Sequence, residues 1–181
     1  VTSEIMHATP ADFSAHAVNR KNYNDISEQQ VFQNMDVVFG GGYKFFTPAD
    51  REDKQDLISE IKGQGYQLVA DKKQFDAITD GKVFGLFAPS DLPYELDRKQ
   101  DEPALSEMTS KAIQLLSKDK DGFFLMVEGS KVDWAAHNNA PAALTADIKA
   151  FDDAVGMALN YAKTNKDTLV IVASDHGNGG I

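Results

Sequence analysis

Four short runs of apolar residues stand out against the polar background of the chain, at 35–39, 83–88, 123–127 and 168–173. They are continuous rather than alternating and rich in Val, Ile and Phe, the pattern of strands covered on both faces. Between them, apolar positions recur at helical spacing. In 103–117 they are Leu105, Met108, Ala112, Leu115 and Leu116, and in 142–163 they are Leu144, Ile148, Phe151, Val155 and Leu159. Both sets step by three or four and predict amphipathic helices. Thr47-Pro-Ala-Asp50 has the form of a helix start, with Thr as N-cap and Pro at the first position, and Gly63 and Gly65 close that helix. Thr9-Pro-Ala-Asp12 repeats the opening, which places Arg20 near the end of the helix it predicts. Strands alternating with helices predict an α/β fold, a mostly parallel sheet with helices on both faces. No linker of low complexity interrupts the pattern, so residues 1–181 read as a single α/β unit.

Composition narrows the chemistry. The 28 acidic residues outnumber the 18 basic ones, leaving a net charge of −10 with no basic cluster. Nucleic acid is therefore not expected as a partner. No stretch approaches the roughly 18 consecutive apolar residues of a membrane span. Cysteine is absent, which removes disulfides, thiolate metal sites and a cysteine nucleophile together. With Val1 first and Ile181 straight after a glycine pair, the chain reads as a piece of something longer.

Without cysteine, imidazole and carboxylate are the metal ligands left, and two clusters concentrate them. The first is Glu128-Gly-Ser-Lys-Val-Asp133-Trp-Ala-Ala-His137, directly after the third apolar run. Asp133 and His137 are four apart, so on a helix they share one face and can grip one ion. The second is Ser174-Asp175-His176-Gly177, directly after the fourth run. Ligands of open α/β sheets bind beyond the carboxyl ends of strands, so both clusters are expected at one rim. Each alone has a plain alternative: a hydrogen-bonded pair on a helix face, and an Asp serving as N-cap. Together they favour metal binding. Oxygen and nitrogen ligands point to zinc, while Glu128 suits a harder ion such as magnesium. Neighbouring divalent ions clamp the oxygens of an in-line phosphoryl displacement, so the expected reaction class is metal-assisted phosphoester hydrolysis.

The segments 123–137 and 170–176 closely resemble the metal-site motifs of alkaline phosphatases, and His7 to Arg20 and Met35 to Gly42 resemble the same family. The likeness runs in order through essentially the whole chain, which would make it the central part of an alkaline phosphatase domain. The resemblance implies two zinc ions and one magnesium. Asp133 and His137 match ligands of the first zinc, Asp175 and His176 ligands of the second, and Glu128 and Thr9 ligands of the magnesium. Arg20 matches the arginine that forks onto the substrate phosphate, and His7 and Trp134 match variable positions around the magnesium shell and phosphate. The family attacks a phosphomonoester with a serine that follows an Asp, through a phosphoserine intermediate. No Asp-Ser pair occurs here, so the nucleophile has no counterpart in this chain, and each zinc pair is one protein ligand short. Two functions follow: phosphomonoester hydrolysis in the intact parent, or a non-catalytic metal- and phosphate-binding fragment. The resemblance further implies a periplasmic or secreted setting and leaves a homodimer open.

Overall fold

The structure is a computed structural model and describes residues 1–178. Its helices and strands run α1 (Ala8–Ser14), α2 (Tyr23–Phe32), β1 (Val37–Gly40), α3 (Leu57–Gly63), β2 (Gln67–Val69), α4 (Lys72–Ala77), β3 (Val83–Leu86), α5 (Leu105–Leu116), α6 (Ser130–His137) and α7 (Pro141–Thr164). Single 3₁₀ turns lie at Tyr43–Phe46 and Glu95–Asp97. The three strands form a parallel sheet in the order β1-β3-β2, with Val83 opposite both Val37 and Gln67. Alternate side chains supply two cores. On one face Val38, Phe84 and Leu86 pack against Ile26 of α2, Leu57 and Ile61 of α3, and Phe46. On the other, Phe39 and Val83 meet Phe75 of α4 and Met108, Ala112 and Leu115 of α5. Phe39, Phe84 and Val83 are wholly buried, each stabilising the sheet by roughly 1.5–3 kcal/mol of apolar transfer. The expected α/β architecture is therefore present, with helices on both faces. Among the described residues no helix is long and apolar enough to cross a membrane.

Two of the four expected strands are absent from the ladder. Residues 123–127 are extended but pair with no named strand. They lie instead beside the first residues of the chain: the Val1 ammonium donates to the Met126 carbonyl (3.0 Å), and the Glu128 N–H donates to the Val1 carbonyl (2.9 Å). That N-terminal segment in turn runs along β1, where the Thr2 N–H donates to Phe39 O and the Gly41 N–H donates to Ser3 O. Glu4 and Gly41 form a parallel bridge. Residues 168–173 also form no strand, and Leu169, Ile171 and Val172 are 82%, 77% and 56% exposed. A strand is defined by its neighbour's hydrogen bonds as much as by its own apolar run, and among the described residues none flanks this one.

The helix starts differ as well. Thr47-Pro-Ala-Asp50 closes a turn, with the Thr47 hydroxyl donating to Asp50 at 2.8 Å. α3 begins only after Asp56, whose carboxylate caps the Ser59 N–H. Between them Arg51 is fully buried, paired with Asp53 and donating to Ser27 Oγ and the Phe45 carbonyl. Satisfying that guanidinium holds the chain out of helical geometry, as the positive φ of Lys54 shows. Near the N-terminus, His7 and not Thr9 occupies the N-cap of α1, which ends at Ser14. Arg20 therefore sits in the turn before α2, not at a helix C-terminus. The two long helices fall within one or two residues of expectation, although Ile148 and Leu159 of the α7 stripe remain about half exposed.

The glycines at the end of β1 serve close packing. A Cβ on Gly41 would lie 2.1 Å from the Ser90 carbonyl oxygen, and one on Gly40 would lie 2.8 Å from Ile5. Gly42 carries φ +114°, open to glycine, and turns the chain into the 3₁₀ turn.

Candidate functional site

α6 carries the first cluster. Its N-cap is Gly129, where a Cβ would meet the Phe151 ring at 2.8 Å; glycine lets α6 seat against α7. Asp133 lies in the first turn, where a carboxylate is favoured by the helix dipole. One turn on, His137 presents Nε2 3.6 Å from Asp133 Oδ1, the shared face that the spacing predicts. Ala135 and Ala136 on the opposite side are buried, which leaves the Asp and His facing solvent.

The second cluster folds onto the first. Asn178 donates from Nδ2 to both the carboxylate (2.6 Å) and the carbonyl (3.1 Å) of Asp133. This contact brings the 174–178 loop against the start of α6. Within the loop His176 Nε2 stands 3.3 Å from Asp175 Oδ2, and the His176 N–H donates to Asp175 Oδ1. The loop is exposed, and among the described residues no helix follows Asp175.

Glu128 lies deeper. Its carboxylate accepts the hydroxyl of Thr2, and the Thr9 hydroxyl stands nearby. Burial raises its pKa above the usual carboxylate range, outweighing the two hydroxyls, and the nearby negative charge of Asp175 adds to the rise. Thr9 thus stands beside Glu128, inside α1 and not at its N-cap. Ser130 extends the polar floor, bonding Ser3 Oγ at 2.6 Å. Behind it a cavity of about 40 Å³, lined by Thr2, Ser3, Glu128, Ser130, Lys131 and Asp147, has room for water but not for a substrate.

Arg20 is exposed and places Nη2 3.4 Å from His7 Nε2. The His7 ring stands edge-on to Trp134, with centroids 5.1 Å apart at 68°. Arg20, His7 and Trp134 therefore adjoin α6 beside Asp133. The structure brings together Glu128 with Thr9, Asp133 with His137, Asp175 with His176, and Arg20 with His7 and Trp134. Among the described residues, however, no three His, Asp or Glu side chains gather closely enough to hold one ion. The donors fit the expected metals in kind, carboxylate with imidazole for zinc and carboxylate with hydroxyl for magnesium. In number each pair offers two. Thr2, Ser130 and Asn178 complete these contacts and carry no signal in the sequence, since hydroxyl and amide residues occur throughout the chain.

Fold and donor set define a class: an α/β protein in which carboxylate and imidazole groups, of the kind that bind divalent cations, lie on α6 and on the loop docked against it. The alkaline phosphatase family model matches residues 1–181. Alkaline phosphatase 3 of Bacillus subtilis is 45% identical over 185 residues, covering 99% of this chain and 39% of that protein. The crystal structure of Thermus thermophilus alkaline phosphatase superposes with a TM-score of 0.94 at 34% identity, over 98% of this chain and 38% of that one. A mutant of the alkaline phosphatase from the Antarctic bacterium TAB5, with magnesium bound in its M3 site, gives 0.86 at 38% identity, over 98% and 51%. The chain belongs to the alkaline phosphatase family. It spans about 39% of the length of the Bacillus relative.

Proposed function

We propose that the intact protein hydrolyses phosphomonoesters, with Asp133 and His137 holding one zinc, Asp175 and His176 a second, and Glu128 and Thr9 a magnesium. The observation that supports this reading is the docking of the 174–178 loop on α6 through Asn178, which holds the segment bearing Asp175 and His176 against the helix bearing Asp133 and His137. Bound divalent ions would supply Lewis acidity toward phosphate oxygens. The chain's own groups do the rest. Arg20 offers a planar pair of N–H donors to a phosphate. His7 and Trp134 hold that guanidinium beside the ligand face. Glu128, anchored by Thr2, keeps a carboxylate aimed from the sheet floor. The attacking serine, and the phosphoserine it would form, lie outside these 181 residues, in which no Asp-Ser pair occurs.

Family membership supports a periplasmic or secreted setting for the intact protein, and sedimentation would test the homodimer. The test of function is to measure zinc and magnesium content of the intact protein together with turnover of a chromogenic phosphomonoester at alkaline pH. Two zinc ions and one magnesium per chain, with turnover abolished by chelation, are the expected result. A protein that retains neither metal and shows no turnover would overturn the reading. For the chain as it stands, one observation favours the second function, a non-catalytic metal- and phosphate-binding piece: no three donors converge among the described residues.

A further inference from the structure

Lys131 is an unusual occupant of its position. It lies in the first turn of α6, between Glu128 and Asp133, yet it is 5% exposed. Its ammonium pairs with Asp91. It also sits 3.8 Å from the centroid of the Trp134 ring and 4.9 Å from that of Tyr94. Tyr94 is fixed in turn by Asn138 at the C-cap of α6, whose amide donates to the phenol oxygen at 2.8 Å. The 91–94 segment thus grips α6 at both ends, and the buried cation is the shared element. A lysine ammonium 3.8 Å from an indole face is strongly attracted to it, more so out of water. Lys131 is buried while Asp91 is about one-third exposed, so losing Asp91 would leave the buried ammonium without its counter-charge.

What the cation holds still is Trp134. That indole also meets the His7 ring, and His7 Nε2 is the partner of Arg20 Nη2. We propose that Lys131 is a positioning residue: anchored by Asp91 and Tyr94, it fixes the Trp134 ring against His7, and through His7 sets where the Arg20 guanidinium stands. The inference rests on the reading of Arg20 as the phosphate-binding arginine. Arg20 is itself exposed, and its side-chain hydrogen bond among the described residues is to His7. Its placement therefore depends on what lies behind that imidazole. An arginine that must meet phosphate in a bidentate geometry loses affinity when its fork is free to turn.

The test uses the intact, metal-loaded protein and inorganic phosphate, with binding measured by calorimetry. Trp134 emission is isolated as the difference from the Trp134→Leu variant. Lys131→Met, which keeps the stem and removes the charge, should weaken phosphate binding roughly tenfold, about 1.4 kcal/mol, and shift Trp134 emission. Lys131→Arg should restore both, because guanidinium also stacks on indole and pairs with carboxylate. In the Trp134→Leu background, Lys131→Met should have little further effect on phosphate binding. If Lys131→Met fails to fold, Asp91→Asn, which frees the ammonium without deleting it, should produce a smaller change of the same sign. A lower melting temperature with phosphate binding and Trp134 emission unchanged would overturn the proposal. So would a full tenfold loss that persists without Trp134. Should the wild-type protein bind no phosphate, the Arg20 reading falls, and the emission change alone decides whether Lys131 orients the indole.

Discussion

Arg20 shows how far a single side chain's role depends on its surroundings. In sequence it is one of 18 basic residues in an acidic chain; in the structure it stands beside His7, whose ring meets Trp134. Replacing it with Ala in the intact protein is expected to lower kcat/KM by about 10²–10³, the scale of one lost charge-stabilising donor set. Wild-type kinetics for that variant would show that the phosphate fork lies elsewhere. Asp147 gives a second case, away from the reaction. Buried on α7, it accepts the Glu95 N–H at 3.3 Å, and burial raises its pKa from 3.8 to about 6. The carboxylates of Glu95 and Asp97 push the same way, while that N–H and the Lys131 charge oppose. A carboxyl with a raised folded-state pKa binds more protons folded than unfolded, so its contribution is complete below the unfolded value and is lost as pH rises. The loss here should run from about pH 4 through about pH 6. Asp147→Asn keeps an acceptor and removes the ionisation, so its stability should fall less over that window. Denaturant midpoints of the two proteins, taken in half-unit pH steps, measure the difference; parallel curves would show that Asp147 does not titrate there.

Elements are set as much by what they bury as by their periodicity. α2 buries Ile26, Ser27, Gln30 and Val31, a half-polar face on which Gln30 donates to the Ile5 carbonyl and to Ser14. No apolar stripe announces such a helix. β2 and α4, of three and six residues, are too short for any period to register. α6 owes its place to Gly129, whose missing Cβ admits the Phe151 ring of α7. Its φ of −84° suits any residue, so Gly129→Ala should cost packing alone, roughly 1–3 kcal/mol. The thermal midpoint should fall, and zinc affinity should fall with it, because Asp133 and His137 move as α6 moves. A destabilised variant with unchanged zinc affinity would show that Phe151 yields instead of the helix.

For the whole molecule, the two-donor pairs make a definite statement. Zinc sites ordinarily have three or four protein ligands, and here Asp133 with His137 and Asp175 with His176 supply two each. The 181-residue chain by itself should therefore lose zinc on dialysis and should not turn over a chromogenic phosphomonoester, even with excess zinc and magnesium. Turnover comparable to a complete enzyme would mean that another residue of this chain acts as nucleophile. Leu169, Ile171, Val172 and Phe124, all more than half exposed, should also make the isolated chain associate. Sedimentation across a concentration series would register that, and a monomer throughout would count against it.

The sequence by itself determined the α/β class, the two long helices, the strands β1 and β3, and the pairing of Asp133 with His137. These are short-range facts: strand runs, helical periods and an i, i+4 spacing act within a dozen residues, and the backbone geometry of each element does the rest. The family resemblance was legible for the same reason, since its motifs are contiguous. Tertiary structure alone decided the remainder. It put Thr9 beside Glu128 and placed Arg20 in a turn against His7. It seated Asn178 on Asp133, and it buried Lys131 between Asp91, Tyr94 and Trp134. It also left 168–173 without a strand beside it. The contacts made by Arg20 with His7, Asn178 with Asp133, and Lys131 with Asp91 and Tyr94 join residues 13 to 45 positions apart, and Thr2 reaches Glu128 across more than 100. Whether a hydroxyl caps a helix or binds a carboxylate depends on which buried acceptor the fold delivers to it, and residue spacing carries no record of that.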